Sequence, residues 1–108
     1  MSDNTETILT KVKKIQGITH NEFDDTITLW INSAKIDLKS IDIVNALVDN
    51  PDSLIEAAII TYTLSFLDVV NSELYSNSYL LQKDTLRHIT SYITAGDTDG
   101  IYRNNISS

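Results

Sequence analysis

Residues 54–70 read LIEAAIITYTLSFLDVV, the most apolar run in the chain, and its reading decides the fold. The run is at the short limit for crossing a bilayer, which takes about 20 apolar residues. It also carries Glu56 and Asp68, which are expensive to place in hydrocarbon. A helix that is apolar on nearly all sides has to be surrounded, by its own chain or by other subunits. Just ahead of it stand Asn50, Pro51 and Asp52. Proline suits the first helical position, and the aspartate suits the positive end of the helix dipole. Residues 51–70 are therefore expected to form a buried central helix.

Three further helices follow from periodicity. Ile8, Leu9, Val12 and Ile15 keep helical spacing and predict a short first helix that stops near Gly17. Phe23, Ile27, Trp30, Ile31, Ala34, Leu38 and Ile41 recur at steps of three and four, predicting a second helix over residues 20–40 with one apolar face. After the central third helix, residues 71–77 read as a polar connection. Residues 78–94 read as a fourth helix using Tyr79, Leu86, Ile89 and Ile93. The pattern weakens over residues 41–50, which are expected to be a loop or short irregular turn. From Ala95 onward Gly, Asp, Asn and Ser dominate, as in a flexible tail. No strand is expected. The fold class is all-α: a small bundle of about four helices over residues 1–95, with a polar tail over residues 96–108.

The totals limit the function. At 108 residues there is room for one domain and a modest core. The net charge of −7 opposes nucleic-acid binding, which draws its affinity from Lys and Arg on phosphates, and opposes anionic membranes equally. Lys11, Lys13 and Lys14 point in different directions on a helix and make no stripe. With no cysteine, neither a disulfide nor a thiolate metal site is possible. The first ten residues are polar and acidic where a secretory signal would be basic and then apolar.

The stretch GITHNEFDD, residues 17–25, packs a histidine and three carboxylates together. Thr19 and Glu22 match the T-x-x-E capping box, with Ile18 and Phe23 at the staple positions and Asp24 and Asp25 in the first turn. His20 and Asp24 have ligand spacing, yet a metal site needs three or four ligands and the other histidine, His88, lies in another helix. A helix start is the expected reading. Asp97, Thr98, Asp99 and Gly100 resemble part of a calcium loop, but Ala95 and Ile106 stand where its first and last ligands belong. Glu56 and Asp68 are twelve residues apart and cannot meet on one helix. No nucleophile motif is present, so no enzyme, metal or cofactor is expected.

Two sets of residues remain as candidate interfaces. At one hundred degrees per residue, Leu29 and Ile36 point opposite to the apolar face of the second helix, with Ile43 continuing the line if that helix were prolonged. The bland alternative is that the third and fourth helices embrace the second from both sides and bury this stripe. In the tail, Ile101, Tyr102 and Ile106 are apolar outposts expected to anchor on a partner or a neighbouring subunit.

The phrases ILTKVKKIQGITHNEFDDTITLWINSAKIDLKSIDI and DSLIEAAIITYTLSFL carry a resemblance. Lys13, Lys14, Ile18 and Thr19, then Glu22, Phe23, Asp24 and Asp25, then Ala34, Lys35, Asp37 and Leu38 follow the order seen in head–tail connector proteins of tailed bacteriophages and prophages. Ala57, Ala58, Ile59, Ile60 and Tyr62 match that family's Ala-rich apolar helix. The resemblance covers roughly residues 8–93, omits residues 40–50, and rests on helix-packing patterns. It implies a virion structural protein, made in the bacterial cytoplasm and placed at the head–tail interface. Such proteins form a homo-oligomeric ring under the portal protein and a platform for head-completion or tail proteins. The isolated chain is compatible with a monomer. DNA would pass through the channel without sequence-specific binding, and no membrane is involved. The alternative reading is a small helical adaptor or regulatory protein that binds a partner without forming a ring.

Overall fold

The computed structural model describes residues 4–93, and these form an all-α bundle. Its helices are α1 (Asn4–Gln16), α2 (Asp24–Ser40), α3 (Asn45–Asp49), α4 (Ser53–Leu67) and α5 (Ser72–Arg87), followed by one 3₁₀ turn, Thr90–Tyr92. Among the described residues no helix is long and apolar enough to cross a membrane. The helix α4 is central and packs against α5, α2 and α1.

Each boundary has a local cause. Gly17, at φ 70°, ends α1: its N–H donates to Lys14 O at 3.2 Å and that of Ile18 donates to Lys13 O at 2.8 Å. This is the Schellman motif, which needs a left-handed residue at that point. The same motif ends α2, but with Asp42 as the left-handed residue, also at φ 70°. There the N–H of Asp42 donates to Lys39 O at 3.1 Å and that of Ile43 to Leu38 O at 3.3 Å. Asp52 caps α4, accepting the Ile55 N–H at 3.0 Å. Its partner start at α5 has no side-chain cap; Asp68 Oδ1 instead accepts the Asn71 N–H at 3.2 Å.

The core face of α2 consists of Ile27, Ile31, Ala34 and Leu38, all buried. It meets Ile55, Ala58 and Ile59 of α4, Ile8 and Val12 of α1, and Val48 of α3. Full burial of each such side chain stabilises the fold by about 1.5–3 kcal/mol. Thr63 is the buried polar residue of this core, and its hydroxyl donates to Ile59 O at 2.9 Å.

Several expectations need correction. The capping box does not form: α2 starts at Asp24 behind Phe23, with no side-chain cap. The N–H of Glu22 donates to His20 Nδ1 at 3.3 Å, and Lys13 bonds Asn21 at 2.7 Å and Asp24 at 2.8 Å. The packing of α1 beside α2 thus shapes this turn, and Phe23 is left half-exposed. Residues 41–50 contain a helix, α3, anchored by Val48 and by a 3.0 Å Lys39–Asp49 ion pair. Finally, α5 begins at Ser72 and ends at Arg87, six and seven residues earlier than expected; Ile89 and Ile93 lie beyond it. Ile43 and Ile93 form an isolated antiparallel bridge, and no strand occurs among the described residues.

Candidate interface surfaces

The stripe on α2 stands on the surface. Leu29 is 62% and Ile36 68% exposed, so α4 and α5 do not enclose α2 from both sides. The helix α4 lies against the opposite face, where Ile31 and Leu38 are fully buried, and α5 reaches α2 through Asp37. The line stops after Ile36. The left-handed turn at Asp42 reverses the chain and drives Ile43 into the core, so Ile43 does not extend the stripe.

An aromatic row borders the stripe. Trp30 of α2 stacks on the half-exposed Phe66 of α4, with ring centroids 5.8 Å apart. Phe66 meets Tyr62 at 5.2 Å, and Tyr62 meets Tyr79 of α5 edge-on at 5.1 Å. A groove of about 380 Å³ runs along it, lined by Ser33, Ile36, Asp37, Ser40 and Tyr62. At its inner edge the Tyr79 hydroxyl donates to Asp37 Oδ2 at 2.5 Å, and Lys83 Nζ reaches the same oxygen at 3.1 Å. Burial, and then the hydrogen bond to Asp37, pushes the Tyr79 hydroxyl far above the usual tyrosine value. Burial and the Asp37 charge also raise Tyr62. Both phenols keep their protons further into the alkaline range, and the Tyr79–Asp37 bond ties α5 to α2.

A second apolar surface lies between α4 and α5. Leu54 and Ala57 face Leu81, Gln82, Thr85 and Leu86 across a groove of about 210 Å³. Leu74, seven residues before Leu81, continues this side of α5 and is 62% exposed. Beyond it Val69 and Val70 protrude at the α4–α5 turn.

The polar candidates are occupied by ordinary contacts. Glu56 pairs with Lys11 at 2.6 Å. Asp68 accepts from the amides of Asn71 at 3.1 Å and Gln16 at 3.2 Å, the first contact lowering its carboxyl most. His88 Nδ1 lies 2.7 Å from Asp84 O. His20 packs edge-on against Phe23, and among the described residues no three His, Cys, Asp or Glu side chains gather as a metal cage. Ile101, Tyr102 and Ile106, like Asp97 to Gly100, lie outside the described residues.

Sequence reasoning found the α2 stripe but missed the Asp37–Tyr79–Lys83 cluster and the α4–α5 groove. The Leu74/Leu81 spacing of seven was a usable signal, hidden by assigning residues 71–77 to a connection. Nothing in the sequence pairs Asp37 with residues more than forty positions away. Comparison of the chain with protein-family models, curated proteins and solved structures gives no match.

Proposed function

We propose that this protein is a structural adaptor of a tailed-phage virion, docking as a homo-oligomeric ring under the portal and offering a platform to head-completion or tail proteins. The observation that carries this reading is the exposed Leu29/Ile36 stripe with its Trp30–Phe66 border, on the back of a helix whose other face is already satisfied. Repeated exposed apolar residues beside an aromatic row are what a protein contact uses. The resemblance of residues 8–93 to head–tail connectors names the partner, and the net charge of −7 is compatible with DNA sliding past without adhering.

Mass measurement of the chain with and without a portal ring tests the reading. A ring-sized increment on the portal supports it, and the Leu29→Asp, Ile36→Asp double variant should lose that increment while remaining folded. Binding of single copies to another protein, without a ring, would favour the small-adaptor reading. Undiminished assembly of the double variant would remove the stripe from the interface.

A further inference from the structure

The exposed stripe of α2 does not end at its two apolar residues. Asp25 and Asn32 are exposed beside Leu29 and Ile36, and the Lys39 side chain is 35% exposed. At 100° per residue, Ile36, Asp25, Asn32 and Lys39 stand about 20°, 40°, 60° and 80° to one side of Leu29. In chain order the five positions follow steps of four, three, four and three. That is the spacing of a seam along which one helix packs on another.

The order of the seam is acid, apolar, amide, apolar, base, so it complements itself when a second copy runs antiparallel. In a two-fold pair every contact occurs twice, residue i with j and j with i. An axis beside Asn32 sets Leu29 against Ile36 of the second copy, Asp25 against its Lys39, and Asn32 against its counterpart. Antiparallel helices bring the same flank together, and Asp25 and Lys39 share a flank. Lys39 already holds Asp49 at 3.0 Å, but an ammonium has three donors and accommodates a second carboxylate. The Asn32 amide can donate and accept across the axis, and one polar residue in an apolar seam fixes its register. On the other margin Ser33 Oγ donates to Leu29 O at 3.0 Å and Ser40 Oγ to Asp37 O at 2.5 Å. Covering these hydroxyls therefore strands no donor.

The exposed stripe of α5 lacks this property. Leu74 and Leu81 are also seven residues apart and exposed. Glu73 and Asp84, both exposed, stand about 100° and 80° to one side of Leu74. An antiparallel copy would set these carboxylates against each other, and like charges across an interface oppose it. Self-pairing belongs to α2.

We propose that the free chain pairs with a second copy through α2, the two helices antiparallel about a two-fold axis at Asn32. The pair hides Leu29 and Ile36, so any other protein that uses the stripe has to displace the second copy. Pairing is measured on the chain without a portal, so its failure and that of the ring reading are distinguishable.

Sedimentation equilibrium of the full chain over a range of concentrations tests the pairing. The expected result is a two-copy species that grows with concentration and stops at two. Asp25→Lys and Lys39→Asp each place like charges at both symmetric contacts and should weaken the pair roughly tenfold. An equimolar mixture of these two variants should recover it, with one chain of each, because both contacts then join opposite charges. The chain has no cysteine, so Asn32→Cys adds a single thiol that meets its own counterpart. On oxidation it should form a covalent dimer roughly tenfold faster than Ser76→Cys, an exposed site on α5, because the pair concentrates one thiol beside the other. Should Lys39→Asp lose helicity with its Asp49 contact, the Asn32→Cys rate decides. A monomer at every concentration, growth past two copies, a mixture no tighter than either variant alone, or equal oxidation rates would each overturn the proposal.

Discussion

Isoleucine and leucine occur on both faces of α2 and meet opposite fates. On one side Ile27, Ile31, Ala34 and Leu38 are sealed against α1, α3 and α4; on the other, Leu29 and Ile36 face solvent. Hydrophobicity alone does not separate them, because isoleucine and leucine occur on both. The difference is density of neighbours: the core face gathers many apolar side chains at once, whereas the outer stripe has only the Trp30–Phe66 row along one margin. Between the faces sits Asp37, held by Tyr79 and Lys83, a charged cluster that marks where the core stops. A core residue on this helix therefore serves stability, and a stripe residue is free to serve contact.

The comparison breaks most visibly on the buried side. Ile31→Ala removes a fully buried side chain and is expected to cost about 3 kcal/mol, a fall in Tm of roughly 12–20 °C in a scanning melt. At the boundary, Tyr79→Phe deletes a hydrogen bond to a charged group and should cost about 1.5 kcal/mol by urea unfolding. It should also change the alkaline limb. The raised Tyr79 value means that the fold's advantage is complete below pH 10 and is lost as the pH climbs above 10, where the unfolded phenol ionises. The Phe variant should lack that share of the loss.

A smaller effect separates the two helix starts. Asp52→Ala should cost about 1 kcal/mol as a lost N-cap, whereas Thr19→Ala, which caps nothing, should be silent in the same melt. The Ile55 N–H first, and then the Tyr92 hydroxyl, hold the Asp52 carboxyl below its ordinary value. Its contribution is thus present above about pH 4 and disappears as acid titrates the folded carboxyl, so parent and variant should converge on acidification. Asp42→Gly tests the turn that ends the stripe. Relief of the left-handed backbone, offset by glycine's entropy, should raise stability by about 0.5 kcal/mol. Smallest of all, Leu29→Asp with Ile36→Asp should leave the melt within about 0.5 kcal/mol of the parent, because these positions are already in water. A large loss in that double variant would erase the distinction between the two faces.

What was legible in the chain is what local spacing encodes. The all-α class, the buried face of α2, the central position of the apolar helix and the outward direction of Leu29 and Ile36 all follow from a period of 3.6 residues, since that period is a property of the backbone itself. The helix start near Asp52 is equally local, although Pro51 precedes the Asp52 cap instead of taking the first helical position. The rest required tertiary contacts. Thr19 and Glu22 have the right spacing for a capping box, yet Lys13 draws Asn21 and Asp24 towards α1 and the turn closes differently. The five residues of α3 are too short to hold a helix unaided, and the burial of Val48 stabilises it. Tyr75, packed against the core, lies in the early turns of α5 within a stretch that reads as polar. Whether Leu29 and Ile36 would be enclosed or exposed was likewise undetermined by periodicity. Periodicity gives the direction of a side chain about its own helix, and only the arrangement of the other helices decides whether anything stands in that direction.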